Sequence, residues 1–406
     1  MSDVTRGAAG PAPRGRRGRD PTGRRGVAAV VFNLRVLRVV GQLAAIALLI
    51  VVAAYLSDNY QANARDRNLR TGWGFLDEPT GFNIAFSDFR SGQPVRDALW
   101  VGVKNTAVSA VVGIVLATVL GMLVGVLRLS GSWVARKAAT LYVEVLRNVP
   151  VLLIILFTAA GLQTLPRIDE AQTLGSFAAI SNRGISVVSP VAGDTLTLYA
   201  VLLGVALAGA LAVAAWRTRI SDATGAPHHR VLWGGGLILV VAVVGYFALG
   251  GPVTLSRPEA GGRSIAGGAS LNIPYVALTG ALALYHGSHI AEIVRGSIQA
   301  VPHGQAEAAT AIGLSDFQRL RFVILPQAFR IAVPPTINQY LSLTKNTSLG
   351  IAVAYSDVAG LAFRLTGARA PALQMFAIVM AIYLMFSLTT SLLLNVFNRR
   401  IQLVER

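Results

Sequence analysis

Apolar stretches that are long enough to cross a membrane recur along most of this chain. A membrane-spanning helix needs about 20 predominantly apolar residues. Eight stretches fit this requirement, at residues 39–56, 98–127, 138–163, 196–216, 231–250, 272–293, 331–350 and 372–397. The pattern predicts an all-α integral membrane protein with about eight transmembrane helices.

A polar segment at residues 295–330 separates the sixth and seventh apolar stretches. Connections between helices are usually shorter and richer in turn residues, whereas this one contains good helix formers. Pro302 and Gly304 can open a helix, residues 305–312 can continue it, and Gly313 can end it in the left-handed conformation. The segment is therefore expected to be partly helical.

A second short helix is expected directly afterwards. Ser315 and Asp316 offer an N-cap for a helix over residues 320–325, and Pro326 is expected to stop that helix. Two short helices outside the apolar stretches would form a surface on which another protein can dock.

Composition agrees with a membrane protein and removes several classes of chemistry. Of the 406 residues, 53% are hydrophobic and only 14% are charged, against roughly 25% charged in soluble domains. The absence of cysteine excludes disulfides and thiolate metal sites. No nucleophile-and-base motif of a hydrolase is present, so we do not expect an enzyme.

Positive charge predicts the orientation of the helices, because Lys and Arg accumulate in cytoplasmic loops. With the N-terminus inside, the internal segments hold 22 of the 36 Lys and Arg residues, and the external loops hold 11, balanced by 11 Asp and Glu. Both termini and the polar segment are therefore expected in the cytoplasm. Most of the net charge of +17 then lies on the internal segments and faces anionic lipid, and no nucleic-acid partner is expected.

Small residues recur on one face of the second apolar stretch. Gly113, Ala117, Gly121 and Gly125 follow one another at every fourth position. This spacing lets two helix backbones approach closely in lipid. Packing within the subunit is the favoured interpretation, and a dimerisation face is the alternative.

Motifs in and around the polar segment resemble those of one family of membrane proteins. Glu307-Ala308-Ala309, followed by Gly313 and Leu325-Pro326, resembles the EAA loop of membrane subunits of ATP-binding-cassette (ABC) importers. Further motifs resemble the polar amino-acid branch of these permeases, namely Ala291-Glu292-Ile293-Val294-Arg295-Gly296, Val301-Pro302-His303-Gly304-Gln305, Leu325-Pro326-Gln327-Ala328 and Lys345-Asn346-Thr347-Ser348-Leu349. The resemblance is strong over residues 272–397 and weaker over the second and third apolar stretches.

The resemblance implies the fold of a type I ABC importer transmembrane domain with a cytoplasmic EAA coupling loop at 295–330. Its five core spans would lie in residues 98–165 and 272–406. An extra first helix with an external loop, residues 39–97, and an external loop with an inserted helix pair, residues 166–271, are then additions that resemble the long permeases of general L-amino-acid importers. Residues 1–38 are predicted to form a basic, disordered cytoplasmic tail, with a regulatory or lipid-binding tail as the alternative.

The resemblance also implies partners. A cytoplasmic ABC ATPase dimer would close on ATP and pull the coupling loop, and an external solute-binding protein would deliver the substrate. A second permease subunit, either a homologous chain or another copy of this one, would complete the pathway. Since this chain has no G-x-x-x-x-G-K-[ST] phosphate loop, ATP and Mg²⁺ belong on the ATPase and no cofactor is expected in this chain.

Five residues are predicted to couple the chain to the ATPase. Glu307 can pair with a basic groove, Ala308 and Ala309 keep the helix face flat, and Gly304 and Gly313 bound the helix. The alternative is an amphipathic connector without a partner.

Polar groups at apolar depth are the candidates for the substrate pathway, because they are costly there. We predict contributions from Thr347, Ser348, Lys345, Glu292 and His289. A cation and hydroxyl groups suit the carboxylate and amino groups of an amino acid. Structural alternatives are snorkelling or a salt bridge for the lysine, and hydrogen bonds to the carbonyl one turn back for the two hydroxyls.

Ion pairs are predicted near these positions. Glu292 is expected to pair with Arg295 or with an arginine of a neighbouring helix, and Glu144 is expected to pair with Arg147. No metal site is expected at His289 and Glu292, because their spacing does not match a metal-binding pattern such as H-E-x-x-H.

The predicted function is that of a permease subunit of an ATP-driven importer for polar or general L-amino acids in the bacterial cytoplasmic (inner) membrane. Two alternatives remain open at this stage. One is an ABC importer permease for another small polar solute. The other belongs to a different class, the ATP-independent secondary transporters.

Overall fold

The computed structural model describes residues 34–67, 70–225, 229–261, 264–368 and 370–401. The chain forms two compact units, Met1–Thr71 and Gly72–Arg406. Helix α1, Leu34–Asp66, belongs to the first unit and contains the first predicted span. Most of the predicted basic tail, residues 1–33, lies outside the described residues.

The second unit is mainly helical. Its helices are α2 (Val95–Leu127), α3 (Trp133–Asn148), α4 (Val151–Gln163), α5 (Leu196–Thr224), α6 (Arg230–Ala248), α7 (Ile273–Gln299), α8 (His303–Ala311), α9 (Leu325–Asn346), α10 (Val358–Gly367) and α11 (Ala372–Ile401). Short 3₁₀ segments lie at Gly74–Asp77, Ile168–Glu170 and Thr347–Val353. Every predicted span after the first overlaps one or two of these helices.

The number of membrane spans depends on how bent helices are counted. Among the described residues, five helices are long and apolar enough to cross a membrane, namely α1, α2, α5, α6 and α11. Two bent pairs raise the number to seven, α3 with α4 and the segment Asp316–Val353 with α10. Helix α7 corresponds to the remaining predicted span, but it is not among these helices and pairs. Its 27 residues include the polar side chains of His286, His289 and Glu292.

The predicted span over residues 138–163 is broken near its middle. The structure has two helices there, α3 and α4, which meet at an angle of 109°. Val149 between them is extended, and Pro150 is the N-cap of α4. Proline lacks an N–H and disfavours a helical conformation of the residue before it, which ends α3 at this point.

The prediction that Pro326 stops a second short helix is wrong. Pro326 lies in the first turn of α9, where a missing N–H costs nothing. A helical turn, Asp316–Gln318, and a π-helical segment, Arg319–Ile324, lead directly into α9. The predicted cap does form, since Ser315 and Gln318 make a reciprocal capping box.

Eight short strands, which the sequence pattern did not predict, lie between α4 and α7. They are β1 (Gln172–Leu174), β2 (Ala178–Ser181), β3 (Gly184–Val187), β4 (Ser189–Ala192), β5 (Val253–Ser256), β6 (Glu259–Gly261), β7 (Ser264–Ala266) and β8 (Ala269–Asn272). The antiparallel sheets are β1-β2-β3-β8, β4-β5 and β6-β7. Strand β8 runs directly into α7, whose first turn is capped by the Asn272 side chain.

Close packing of α2 against α7 forms the centre of the second unit. Gly121 and Gly125 of α2 face Ile290 and Val294 of α7, and Gly113 faces Leu343 of α9. A buried cluster continues from this contact; it contains Ala117, Ile154, Ile155, Leu278, Ala281, Leu282, Ile290, Leu343 and Tyr355. The small-residue face therefore packs within the subunit, as the favoured interpretation expected.

Replacing Gly121 by alanine is expected to destabilise the protein. A Cβ atom at this position would lie 2.6 Å from Ile290 Cβ, so the two helices would have to separate. Overpacking of this kind costs about 1–3 kcal/mol. We expect a lower unfolding midpoint for Gly121→Ala in a thermal denaturation of the purified protein in detergent.

Gly280→Ala is the matched control. Gly280 lies in the middle of α7, and a methyl group added there would have no neighbouring atom within 4 Å outside its own helix turn. Alanine favours a helix over glycine by about 1 kcal/mol, so the midpoint should stay the same or rise. Equal midpoints for the two variants would contradict the packing described for α2 and α7.

Candidate functional site

Helix α8 is a short helix that connects the end of α7 with the segment leading into α9. One side of it is turned inward, where Ala309 is 3% exposed. Gly304, Glu307 and Ala308 are exposed, as is Gly313 beyond the helix end. The structure therefore presents four of the five predicted coupling residues on the surface and buries the fifth.

The end of α8 is defined by Gly313. This glycine has a φ of +81°, the left-handed conformation predicted for it. The N–H of Leu314 donates to the carbonyl of Ala309 at 3.1 Å, and the N–H of Gly313 donates to that of Thr310 at 2.9 Å. These two bonds are those of a Schellman motif, which needs a residue tolerant of positive φ.

Side-chain hydrogen bonds hold α8 against the following segment. Gln327 Nε2 donates to Gln305 Oε1 at 3.2 Å. Arg319 Nη1 donates to Thr310 Oγ1 at 3.1 Å. Arg319 is itself fixed by an ion pair with Asp316 at 2.9 Å. These contacts join α8 to the segment before α9 and to the first turn of α9.

The surface of α8 combines acidic, small and apolar groups. A surface cavity of about 460 Å³ is lined by Ala306, Glu307, Thr310, Ala311 and Arg319. Three large apolar side chains are exposed nearby, Ile312, Phe317 and Phe322. Clustered exposed apolar groups with polar neighbours are typical of a protein-binding surface.

A second polar group surrounds Glu292 of α7 and is called the Glu292 cluster. Glu292 accepts hydrogen bonds from Arg295, one turn further on, and from Arg128, which follows α2. Arg147 at the end of α3 has its Nη1 atom 3.8 Å from Glu292 Oε2. The predicted pairing of Glu292 with Arg295 and with a neighbouring helix is confirmed. The predicted pair of Arg147 with Glu144 is wrong, because Arg147 faces α7.

Polar groups of α7 that lie one to two turns before Glu292 meet polar groups of α9. His286 is buried, with Nδ1 3.1 Å from Gln339 Oε1 and Nε2 3.2 Å from Asn346 Nδ2. His289 packs edge-on against Tyr285, with ring centroids 4.8 Å apart. The Nε2 atom of His289 is buried and has no hydrogen-bond partner among the described residues.

The predicted pathway residues near the end of α9 make mainly local contacts. Thr347 is fully buried and its hydroxyl donates to the carbonyl of Thr344 at 2.8 Å. The Ser348 hydroxyl donates to the carbonyl of Lys345 at 2.9 Å, and the Lys345 residue is exposed. Within the described residues, no hydrogen bond or ion pair joins these three side chains to Glu292 or His289.

A buried polar network that the sequence reasoning missed lies at the other end of α2. Asp357 is completely buried and caps α10, with Oδ1 accepting from the N–H of Gly360 at 2.7 Å. Its Oδ2 atom accepts from the Tyr383 hydroxyl of α11 at 2.9 Å. The Tyr383 oxygen also lies 3.4 Å from Thr347 Oγ1.

Helix α2 completes this network through three polar side chains. Asn105 Nδ2 donates to the carbonyl of Ser356 at 2.8 Å, and Thr106 Oγ1 accepts from the N–H of Val358 at 3.2 Å. The Ser109 hydroxyl donates to the Tyr355 hydroxyl at 2.9 Å. The signal in the sequence was the spacing of these three polar residues on one face of an apolar stretch.

The family of the chain follows from a match that covers most of the second unit. Residues 117–403, which include α7, α8 and the Glu292 cluster, match the family model described as binding-protein-dependent transport system inner membrane component. The chain belongs to this family. The predicted fold class, a type I ABC importer transmembrane domain, is thereby confirmed, and the protein is a multi-pass membrane permease that functions with an ATPase and a binding protein.

Relatives from the same family match over nearly their whole length. The general L-amino acid transport system permease protein AapQ of Rhizobium johnstonii is 38% identical, over 90% of this chain and 92% of its own. The glutamate/glutamine/aspartate/asparagine transport system permease protein BztB of Rhodobacter capsulatus is 32% identical, over 93% of this chain and 96% of its own. The predicted resemblance to amino-acid permeases of the long type is confirmed.

Replacement of Asp357 by alanine is expected to lower the free energy of unfolding by about 2–4 kcal/mol. The change removes the N-cap of α10 and leaves the buried Tyr383 hydroxyl without its acceptor. Asp357→Asn keeps an oxygen acceptor for the N–H of Gly360 and should cost less. Equilibrium unfolding of the purified protein by SDS titration measures both, and equal losses would contradict the capping role.

Proposed function

We propose that this chain is the permease subunit of an ATP-driven importer that takes up polar L-amino acids of several kinds from a solute-binding protein. The observation that carries the proposal is the full-length similarity to two permeases named for general L-amino acids and for acidic amino acids and their amides. Transport rather than catalysis is the role of the chain, and ATP with Mg²⁺ binds to the partner ATPase.

Helix α8 is proposed to be the element on which the ATPase acts. Glu307 offers a carboxylate to a basic groove of the ATPase, and Ala308 allows a close approach. Exposed Ile312 and Phe317 would be covered in the complex. Because α8 is bonded to the segment before α9 and follows α7 directly, a displacement of α8 shifts the inner ends of both long helices.

The transport pathway is proposed to run along α7 and α9. Lys345, Thr347 and Ser348 lie towards one end of it, and His289 and Glu292 lie towards the other. The contact of His286 with Asn346 supports this assignment, because it brings the two sets of residues onto facing helices. A second permease subunit, homologous or identical, is proposed to form the opposite wall.

The protein is proposed to lie in the bacterial cytoplasmic membrane with both termini inside. The excess of Lys and Arg in the loops on the side of α8 supports this orientation. It places α8 where a cytoplasmic ATPase can reach it, and it places the β-sheets on the side of the binding protein.

ATP-dependent uptake by the reconstituted complex tests the proposed function. The chain is incorporated into liposomes with its ATPase, its second permease and its binding protein, and uptake of radiolabelled L-glutamine is measured. We expect uptake that requires ATP and the binding protein, and that unlabelled L-glutamate and L-asparagine reduce. Uptake by this chain alone, without ATPase, would show a secondary transporter, and uptake restricted to a solute of another class would refute the substrate assignment.

Substitutions at α8 test its coupling role. Glu307→Ala removes the proposed ion pair, and Gly313→Ala places a side chain at a φ of +81°, which strains the end of α8 by about 1–2 kcal/mol. We expect both variants to insert normally in the membrane and to lose at least about tenfold in uptake, the effect of about 1.4 kcal/mol. The measurement is uptake per ATP hydrolysed.

Two substitutions away from α8 provide matched controls. Glu259→Ala removes an exposed carboxylate from strand β6, and Gly236→Ala adds a methyl group in α6 where no atom lies within 4 Å. Both are expected to leave uptake per ATP unchanged. If Glu307→Ala behaved like Glu259→Ala, α8 would not be the docking element.

A further inference from the structure

The Glu292 cluster contains more positive than negative charge. Arg128, Arg147 and Arg295 share the single carboxylate of Glu292. The cluster therefore has an excess of two positive charges among the described side chains within ion-pair distance. A group built only for packing would be expected to balance its charges, because uncompensated like charges repel at low polarity.

The three arginines are not equally engaged. Arg128 and Arg295 donate hydrogen bonds to Glu292, and Arg295 also donates to Gln299 at 2.5 Å. The Arg147 side chain makes no hydrogen bond within the described residues, and the nearest carboxylate oxygen, Oε2 of Glu292, is 3.8 Å from its Nη1 atom. Its side chain is 41% exposed, so a ligand can reach the guanidinium group.

Two other nitrogen atoms around the cluster lack hydrogen-bond partners. The Nε atom of Arg128 is buried with no hydrogen-bond partner among the described residues, and so is the Nε2 atom of His289. Buried polar atoms are nearly always satisfied in folded proteins. Both residues adjoin Glu292, His289 on the same helix and Arg128 through its ion pair, so these nitrogen atoms are available to an additional partner.

The broken helix contributes a further positive end. Arg147 is three residues before Pro150, where the chain turns by 109° and α4 begins. Helix α4 has 13 residues and no side-chain cap at its N-terminus. The N-terminus of a helix that starts within a transporter core favours an anion through its free N–H groups and dipole.

We propose that Arg147 binds the α-carboxylate of the transported amino acid, with Arg128 and the first turn of α4 completing an anion site on the inner half of the pathway. This inference rests on the proposed function. A guanidinium group fits a carboxylate through two parallel hydrogen bonds. The α-carboxylate is common to all L-amino acids, so this contact would serve substrates with different side chains, whereas Glu292 positions the other arginines.

Equilibrium binding to the complex in lipid nanodiscs tests the site. The permease and ATPase complex is placed in phosphatidylcholine nanodiscs without the binding protein, and two probes are compared. These are L-glutamine and its α-amide, in which the carboxylate is replaced by a neutral carboxamide. For the natural sequence we expect the α-amide to bind at least about tenfold more weakly, the loss expected for a charge-assisted hydrogen-bonded pair.

Substitution of Arg147 should remove this discrimination selectively. Arg147→Gln is expected to weaken L-glutamine about tenfold and to leave the α-amide unchanged, so that both bind alike. Arg147→Lys keeps the charge but loses the bidentate geometry, so its affinity for L-glutamine should lie between those of the natural sequence and of Arg147→Gln. Arg96→Gln is the control, since Arg96 is exposed and pairs with Asp77 outside the Glu292 cluster.

Three outcomes would overturn the inference. In the first, Arg147→Gln leaves the ratio of the two dissociation constants as it was. In the second, it weakens both probes equally and lowers the unfolding midpoint, which would indicate a structural role. In the third, nanodiscs containing phosphatidylglycerol lose a tightly bound lipid on Arg147→Gln while discrimination persists, which would assign the site to a lipid phosphate.

The proposed function and this inference fail in different ways. If the complete natural complex takes up L-glutamine with ATP and Arg147→Gln still discriminates between the probes, only the carboxylate site is refuted. If the natural complex neither binds nor takes up L-glutamine or its relatives, the substrate class is wrong and the inference falls with it.

Discussion

The close approach of α2 and α7 is the constraint on which the rest of the second unit depends. In lipid, apolar side chains gain no hydrophobic free energy when they move from contact with lipid to contact with another helix. Helices therefore associate through close packing of their backbones. Gly121 and Gly125 provide that contact by leaving room for Ile290 and Val294. The same approach brings Arg128, just beyond α2, within reach of α7. Had larger residues separated the two helices, the arginine side chain would face lipid or water and the ion cluster would lose one of its members.

Helix α7 connects the parts of the chain that the proposed transport cycle uses. Its beginning is anchored in a β-sheet through β8, its middle contacts α9 through His286, and its last turns hold Glu292. Directly after its end comes α8. A single element therefore connects the side on which substrate would arrive with the side on which ATP would be used. The burial of α7 on several sides explains why a helix this polar is stable, since its neighbours satisfy most of the polar atoms.

Sequence patterns predicted the elements whose signals are local. Gly313 ended α8 as expected because a left-handed helix end has its own residue preference, and the Ser315 cap formed for the same reason. The break at Pro150 was missed because hydropathy runs on smoothly through it. The strands were missed because three or four residues carry too little periodicity. Contacts between residues distant in sequence were not predicted either. Arg147 lies near Glu292 rather than Glu144 of its own helix, and no local pattern indicated the hydrogen bond between Tyr383 and Asp357. The helices and their ends were thus predicted more accurately than the contacts between them.

The pairing of β3 with β8 brings together the two ends of the segment that contains α5 and α6. Val187 lies opposite Ala269 in the sheet, so the chain leaves the core and returns to it at neighbouring positions. Between these points, α5 and α6 pack on each other, with the Tyr199 hydroxyl donating to the carbonyl of Ala242 at 2.9 Å. A segment whose two ends are adjacent can change in length without moving the elements on either side of it. The helix pair α5–α6 is in this sense a structural module, attached to the rest of the second unit at one place.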